Sequence, residues 1–335
     1  MLKALKGLPT HIEIAENYPL GKHELDILCL NLPPICNYDC KKCFNAENRK
    51  NLHKALSLEE YISLITEAHK LGAIEVAILG EGEPLLYKGI KDIVKHANSL
   101  GMYTLIATNG SLLTPEMAEF LSENNVSLAV SLDTLDAEEY RNYYRASLDV
   151  VLKNLNEARK IYKKTNYTKN GVQVYGLAAH MTVNTQNYKK MEKIVEFCGD
   201  DMYFSCEHIA LVGAANENPE ISGVKDMVSY LECQRKAHTI MNPMVLTKTA
   251  NHKECCCYFY YGFSVGFEGE IMVDTHAGET KGIVGNIKDY SSMSEALKAV
   301  RKIRDEYFEN SQCHYCLIRD TKYQEFLATH KKHTA

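Results

Sequence analysis

The sequence predicts an α/β fold, in which a partial (β/α)6 barrel with the plan of a TIM barrel precedes a small α+β region. Short apolar runs alternate with longer amphipathic segments up to about residue 211. That alternation is typical of repeated β–α units that share a parallel sheet. Beyond it, segments rich in cysteine, glycine and tyrosine replace the regular pattern. We therefore expect the barrel first and a smaller unit after it.

The barrel strands are predicted from apolar segments whose composition suits a buried parallel sheet. They are Leu25–Leu32, Ile74–Leu79, Tyr103–Thr108, Ser127–Leu132, Val172–Val183 and Tyr203–Leu211. The helices are predicted from the amphipathic segments between them. They are Leu58–Leu71, Lys88–Leu100, Pro115–Asn124, Val150–Lys164 and Tyr188–Cys198. In such a barrel, reactive groups lie in the loops at the carboxyl ends of the strands.

Two of these helix starts carry recognisable capping residues. Ser57 precedes the first helix, and Glu60 follows it at the spacing of a capping box. Thr114 and Pro115 begin another helix, since proline is tolerated in a first helical turn.

The change of pattern divides the chain into three predicted parts. Residues 1–22 are an N-terminal extension, residues 23–211 the barrel, and residues 212–335 the small α+β domain. Little more than residues 1–24 precedes the first predicted strand.

Composition and charge narrow the class of protein. The formal net charge of -5 gives no reason to expect a nucleic-acid partner, which usually meets a basic face. No apolar run approaches the roughly 20 residues that span a bilayer, and the first residues lack a signal-peptide core. We therefore expect a cytoplasmic protein. In a reducing cytoplasm, the 12 cysteines point to metal binding or redox chemistry rather than disulfides.

Three of the cysteines follow the first predicted strand, as Cys36-x3-Cys40-x2-Cys43. Three thiolates on one loop can each bind one iron of a cubane cluster, which normally has four cysteine ligands. The fourth iron is then open for chemistry. The alternatives are a zinc site, for which no fourth ligand is evident nearby, or three cysteines without a joint role.

This motif after a first strand resembles the signature of the radical S-adenosylmethionine (SAM) superfamily. The resemblance implies a [4Fe–4S] cluster whose open iron binds the amino and carboxylate groups of SAM. Reduction then splits the sulfur–C5′ bond and yields a 5′-deoxyadenosyl radical. It also implies an external electron donor such as flavodoxin or ferredoxin. One residue departs from the pattern, since Lys42 stands where the family often has an aromatic residue.

A second motif follows the second strand, where Gly80-Glu81-Gly82-Glu83 precedes Pro84. It resembles the family's Gly-Gly-Glu-Pro segment, with Glu81 in place of a glycine. The resemblance implies that this segment binds the methionine ammonium of SAM, and glycine permits close backbone approach. The alternative is a tight turn with solvated glutamates.

Further candidates follow the third and fourth strands. Asn109 lies in an Asn-Gly turn, which tolerates unusual backbone angles. The resemblance implies that Ser131 and Arg145 contact the ribose or carboxylate of SAM, and Asp133 is a further candidate for binding this cofactor. Arginine suits a carboxylate through paired hydrogen bonds. The alternative for Arg145 is a surface pair with an acidic residue of its own helix.

The C-terminal cysteines resemble the auxiliary-cluster extension known as the SPASM or twitch domain. The resemblance implies a second [4Fe–4S] cluster, whose candidate ligands are Cys255, Cys257, Cys313, Cys316 and Asp274. Cys255 and Cys257 can face the same way because alternate residues of an extended chain share a face. Asp274 stands where the family has a cysteine, and His276 is a further candidate. The alternative is a structural zinc ribbon made by the four cysteines.

Side chains of the later strands are candidates for substrate contact. Cys206, in the sixth strand, is a candidate hydrogen-atom donor to a substrate radical, although cysteine is commonly an inert core residue. Glu207, His208 and His180 are candidates for binding substrate or moving protons.

The resemblance implies a radical SAM enzyme that abstracts a hydrogen atom from a small molecule such as a sugar, aminocyclitol or nucleoside. Dehydrogenation, epimerisation and decarboxylation all begin with this step, so an oxidoreductase, isomerase or lyase fits. One alternative is a maturase of ribosomally made peptides. Another is an iron–sulfur electron carrier without catalysis, in which every cluster has four protein ligands.

Overall fold

The computed structural model describes residues 2–8, 11–46, 55–79, 81–209, 213–221, 229, 232–233, 261–273 and 282–310. The strands in this part of the chain are β1 (Leu2–Leu5), β2 (Ile27–Leu30), β3 (Glu75–Ile78), β4 (Tyr103–Thr108), β5 (Val126–Ser131), β6 (Tyr167–Lys169), β7 (Val172–Tyr175), β8 (Leu177–Val183), β9 (Tyr203–His208), β10 (Gly262–Val265), β11 (Glu270–Met272) and β12 (Ile283–Asn286). The α-helices are α1 (Leu58–Lys70), α2 (Ile90–Ser99), α3 (Pro115–Glu123), α4 (Ala137–Tyr144), α5 (Leu148–Tyr162), α6 (Met191–Cys198), α7 (Ala214–Glu217) and α8 (Met293–Asn310).

The main sheet contains a run of parallel strands in the order β2-β3-β4-β5-β8-β9. Helices connect successive strands, as a parallel sheet requires. The predicted partial (β/α)6 barrel is thereby confirmed. The loops that follow these strands meet at one end of the sheet, and Cys36, Glu83, Asn109 and Asp133 lie there.

One predicted strand was wrong in its extent. Residues 172–183 form two strands rather than one, separated by Gly176. β7 pairs with β1 and β6 in a separate three-stranded sheet, whereas β8 joins the barrel. A Cβ at Gly176 would lie 2.7 Å from the ring of Tyr162, so the chain passes too close to α5 for any other residue. The unbroken apolar run conceals this change of sheet.

The later strands extend the same sheet on its other side. β10 lies parallel to β2, and β11 and β12 continue the sheet in antiparallel order. The Arg304 guanidinium of α8 donates to the carbonyls of Gly262 (3.0 Å) and Val273 (3.3 Å), which fixes that helix to these strands. The division of the chain at residues 22 and 211 stays a prediction.

The two expected helix caps are present. The Ser57 hydroxyl accepts from the Glu60 amide, and the Glu60 carboxylate accepts from the Ser57 amide, which confirms the capping box. Thr114 caps α3, with Pro115 in its first turn. Sequence analysis gave no bounds for α4, because tyrosines rather than aliphatic residues form its buried face.

The N-terminal segment closes the other end of the barrel. Gly7 lies against the starts of β3 and β4, and the His11 ring packs edge-on to Tyr103 at 5.1 Å between centroids. Among the described residues, no helix is long and apolar enough to cross a membrane.

Candidate functional site

The three clustered cysteines occupy one loop directly after β2, and each is partly buried. The Cys43 amide donates to the Cys40 carbonyl at 3.1 Å, and the Tyr38 amide lies 3.4 Å from the Cys36 sulfur. Burial raises the pKa of the Cys40 thiol to about 12, and the nearby Cys43 and Cys36 contribute to this rise. The three thiols are therefore close enough to influence one another, and metal binding here would displace protons.

A cubane cluster and a single zinc ion need different arrangements of cysteine thiolates. Within the described ranges, no three His, Cys, Asp or Glu side chains are placed to hold one metal ion. A zinc ion draws its cysteine sulfurs to about 2.3 Å from one centre. A cubane makes a different demand, because each thiolate binds a separate iron. The three thiols of one loop can therefore each serve a separate iron, as the sequence spacing predicts.

The loop after β3 is packed onto the cysteine loop. A Cβ at Gly82 would lie 2.4 Å from the Ile35 carbonyl oxygen, so only glycine allows this contact. The Glu83 amide donates to the same carbonyl at 2.8 Å. Asn45 donates to the Glu81 carbonyl at 3.2 Å, and Asn31 donates to the Glu81 carboxylate at 2.8 Å. These bonds join the first two sequence motifs into one structure.

Glu83 is a buried carboxylate that ties this loop to the next one. It accepts from the Leu85 amide (3.1 Å), the Thr108 hydroxyl (2.7 Å) and the Asn109 amide (2.7 Å). Burial raises the pKa of Glu83, while these donors oppose the rise. The side chains of Glu81 and Glu83 are both buried, so the alternative of a turn with solvated glutamates is wrong.

Asn109 extends the connection back to the cysteines. The side-chain Nδ2 atom of Asn109 donates to the Asn37 side chain at 2.9 Å and lies 4.0 Å from the Cys36 sulfur. Three loops, after β2, β3 and β4, are thus held together by hydrogen bonds between predicted site residues and their neighbours.

Polar side chains line up across the ends of β5, β8 and β9. Ser131, His180 and Ser205 are register partners on these strands. The His180 Nδ1 atom lies 2.8 Å from the Ser205 hydroxyl, and its Nε2 atom lies 3.6 Å from a Glu207 oxygen. Sequence analysis identified His180 and Glu207 but missed Ser205. The pattern that could have indicated Ser205 was the alternation of polar residues at positions 205 and 207, because alternate strand residues share a face.

Asp133 forms an ion pair that sequence analysis did not anticipate. Its carboxylate lies 2.7 Å from the Lys42 ammonium, and both side chains are largely buried. Lys42 comes from the cysteine loop, so the pair joins that loop to the end of β5.

Arg145 ends α4 in a left-handed conformation, with φ of 58°. It lines a cavity of about 440 Å³ together with Asp133, Asn184 and Asn187. Glu139 of the same helix pairs with Lys190 instead. In the part of the chain that the structure describes, Arg145 forms no ion pair, which leaves its guanidinium available to a ligand.

Cys206 faces away from the polar residues of β9. It is the register partner of Met181, which is fully buried, and it packs against the hydrophobic core. Ser205 and Glu207 lie on the opposite face, because successive strand residues alternate. Burial raises the pKa of Cys206 to about 12. A hydrogen-donor role for Cys206 stays a prediction.

Several predicted site residues lie outside the described residues. They are Gly80, Cys255, Cys257, Asp274, His276, Cys313 and Cys316.

Comparison with known proteins places the barrel in context. The model of the Radical SAM superfamily matches residues 30–198. The Fe-coproporphyrin III synthase of Methanosarcina barkeri (strain Fusaro / DSM 804) is 26% identical over 258 residues, which are 74% of this chain and 60% of that protein. The GTP 3′,8-cyclase of Clostridium perfringens (strain SM101 / Type A) is 34% identical over 135 residues, which are 38% of this chain and 41% of that enzyme. The chain therefore spans less than two thirds of either relative.

Solved structures show the same fold. Streptococcus suis SuiB bound to S-adenosylmethionine superposes with a TM-score of 0.65 at 19% identity, covering 89% of this chain and 73% of that one. SuiB bound to the precursor peptide SuiA gives 0.64 at 18% identity, covering 88% and 70%.

Proposed function

Because this chain belongs to the radical SAM superfamily, we propose that Cys36, Cys40 and Cys43 hold a [4Fe–4S] cluster whose fourth iron binds SAM. The observation that carries the proposal is the joining of the cysteine loop to the two following loops. Gly82 contacts Ile35 directly before the first cysteine, and Asn109 reaches Asn37 directly after it. A loop fixed on both sides holds its thiols in place before any cluster binds.

When bound, the cluster supplies the electron that splits SAM into methionine and a 5′-deoxyadenosyl radical. The residues of this chain would bind and orient SAM. We propose that backbone groups near Gly82 bind the methionine ammonium and that Arg145 and Ser131 bind the carboxylate or ribose. Glu83 holds the β3 and β4 loops at a fixed separation through its three hydrogen bonds. The barrel walls exclude water and keep a radical from side reactions.

We propose that the substrate is a small polar molecule that lies against β8 and β9. His180, Ser205 and Glu207 offer hydrogen-bond donors and acceptors on one face at the ends of these strands. Such groups suit a ligand that carries hydroxyl or amino groups. The two relatives compared by sequence are named for a porphyrin and for GTP, which are small molecules. Sugars, aminocyclitols and nucleosides are the first classes to screen, with a SuiA-like peptide as the contrasting class.

We also propose a second [4Fe–4S] cluster held by Cys313, Cys316 and members of the 255–257 run, with Asp274 as a further ligand. The support is the spacing of the motif in the sequence. Replacing Cys313 and Cys316 together by alanine should lower bound iron by about four per chain, the content of one cubane. Unchanged iron content would contradict the second cluster.

The decisive experiment is formation of 5′-deoxyadenosine from SAM by anaerobically reconstituted, reduced protein. The wild type should form it, and Cys40→Ala should form none, because one iron then loses its ligand. Cys198→Ala is the matched control, since Cys198 is a buried thiol beside β9 and away from the loop. Continued formation by Cys40→Ala would contradict the proposed site.

A further inference from the structure

Two consecutive lysines of the cysteine loop have opposite environments. The Lys41 ammonium lies 3.0 Å from a Glu220 oxygen at the surface, where both side chains are substantially exposed. The Lys42 ammonium lies 2.7 Å from an Asp133 oxygen, with 11% of the lysine side chain and 2% of the aspartate side chain exposed. Surface ion pairs contribute little to structure, whereas a buried pair is costly to break.

Lys42 is fully engaged by its neighbours. Besides Asp133, its ammonium lies 3.1 Å from the Tyr144 hydroxyl and 3.0 Å from the Thr182 hydroxyl. An ammonium has three N–H donors, so these three oxygens account for all of them. The nitrogen also lies 5.0 Å from the ring centroid of Tyr144, within reach of a cation–π contact.

Asp133 is held just as firmly. One of its oxygens accepts from Lys42, and the other accepts from the Thr182 amide at 2.8 Å. The ion pair therefore connects the cysteine loop to the end of β5, to β8 and to α4. Lys42 directly precedes Cys43, so the position of that thiol depends on where the lysine is held.

We infer that Lys42 is a positioning residue whose buried pair with Asp133 fixes the Cys43 end of the cysteine loop for SAM binding. This inference rests on the proposed cluster site. Lys42 does not itself bind a ligand, because its donors are already used. An ion-paired lysine thus occupies the position before Cys43, where the family often has an aromatic residue.

The inference predicts a particular pattern of variants. Lys42→Met keeps the length of the side chain but leaves Asp133 buried without its cation. Asp133→Asn keeps the shape of the carboxyl group but leaves the ammonium unpaired. We expect each to weaken SAM binding about 10- to 100-fold, the range for residues that orient a metal ligand from outside its coordination shell. The double variant should lose less than the product of the two, because no unpaired charge remains buried.

The test uses full-length, anaerobically reconstituted protein with SAM as the probe. Iron per chain is measured first, and SAM is then titrated while the EPR spectrum of the reduced cluster is followed. The unfolding transition of each cluster-free variant reports on structure alone. The control is Lys160→Met in α5, because Lys160 pairs with Glu157 at the surface and does not line the cavity at Arg145. We expect its titration to equal that of the wild type.

The outcomes separate this inference from the proposed function. A wild type without a cluster, or with a spectrum that SAM does not change, contradicts the proposed function. If SAM changes the wild-type spectrum but Lys42→Met and Asp133→Asn bind SAM with unchanged affinity, the positioning role of the Lys42–Asp133 pair is overturned and the proposed function is not. Losses that simply multiply in the double variant also overturn it, since the two residues then act separately. If a single variant does not fold, the double variant decides, and wild-type SAM affinity there overturns the inference.

Discussion

Two buried glutamates at opposite ends of β3 differ in their hydrogen bonding. Glu83, beyond the carboxyl end of the strand, accepts three hydrogen bonds from two loops. Glu75, at the beginning of the strand, is fully buried, and neither of its carboxylate oxygens has a hydrogen-bond partner among the described residues. Burial raises the pKa of both. Glu83 thus joins two loops beyond the carboxyl end of β3. Glu75 fills space at the beginning of the strand, where its raised pKa favours the neutral carboxyl group.

Other buried ionisable groups also differ between the two ends of the barrel. At the N-terminal end, burial lowers the pKa of His11 to about 4 and that of Lys6 to about 8. At the carboxyl end, Lys42 and Asp133 form a buried ion pair. The Lys42–Asp133 pair thus holds a loop in place at the carboxyl end, whereas burial favours the neutral forms of His11 and Lys6 at the other end.

The largest expected effect comes from Gly82→Ala at the carboxyl end. The added methyl group would lie 2.4 Å from the Ile35 carbonyl oxygen, so the cysteine loop and its neighbour must move apart. We expect SAM-dependent formation of 5′-deoxyadenosine to be lost, because a misplacement of about 1 Å can cost about 100-fold in rate. The control is Gly101→Ala in the α2–β4 turn, at the other end of β4, where nothing lies within 4 Å of the added methyl group. The φ of 74° there strains an alanine and lowers stability without a contact to the site. Full activity in Gly82→Ala would show that the contact does not position the site.

A smaller effect is expected from Glu83→Gln. Glutamine replaces one carboxylate oxygen with an NH2 group. That group then faces either the Asn109 amide or the Leu85 amide and Thr108 hydroxyl, all of which are donors in the wild type. A buried donor left without an acceptor costs about 1–3 kcal/mol. Chemical unfolding should show that loss, and SAM binding should weaken with it. If Glu83→Gln is as stable as the wild type, the carboxylate does not hold the two loops together.

The smallest effect on SAM binding is expected from Glu75→Gln, whose effect on the free energy of unfolding should have the opposite sign. The folded-state pKa of Glu75 lies well above its ordinary value of 4.5, so the folded protein keeps a proton that the unfolded chain releases. The free energy of unfolding therefore falls as pH rises from about 4.5 towards the raised pKa, by about 1.4 kcal/mol per pH unit. Glutamine cannot ionise, so the variant should match the wild type near pH 4 and exceed it at pH 7.

Chemical unfolding at both pH values makes this measurement. A wild type and a Glu75→Gln variant with equal stability at pH 7 would mean that Glu75 is ionised in the folded protein without cost. SAM binding serves as the comparison with Glu83→Gln, and Glu75→Gln should leave it unchanged.

Local patterns predicted most of the barrel. Strand β4 has the bounds expected from its apolar run, and Ser57 and Glu60 form the expected capping box. The break at Gly176 was missed because it reflects contact with a distant helix. Similarly, nothing in the sequence of β10 indicates that it pairs with β2, since strand pairing depends on the whole chain.

For the candidate site, too, the sequence located the loops but not the contacts between distant residues. Cysteine spacing and strand order located the loops, because parallel strands end on one side of a sheet. The Lys42–Asp133 pair joins residues 91 positions apart, and no local signal connects them. The side of β9 that carries Ser205 and Glu207 rather than Cys206 became clear only from the pairing with β8.

The central claim is an iron–sulfur cluster with one open iron in the cysteine loop. The most direct test records the EPR spectrum of the reduced, reconstituted protein before and after addition of SAM. A spectrum that SAM shifts in the wild type, and that is lost in Cys40→Ala, is the predicted result. A reduced cluster whose spectrum SAM leaves unchanged would contradict the open iron and favour an electron carrier with four protein ligands per cluster.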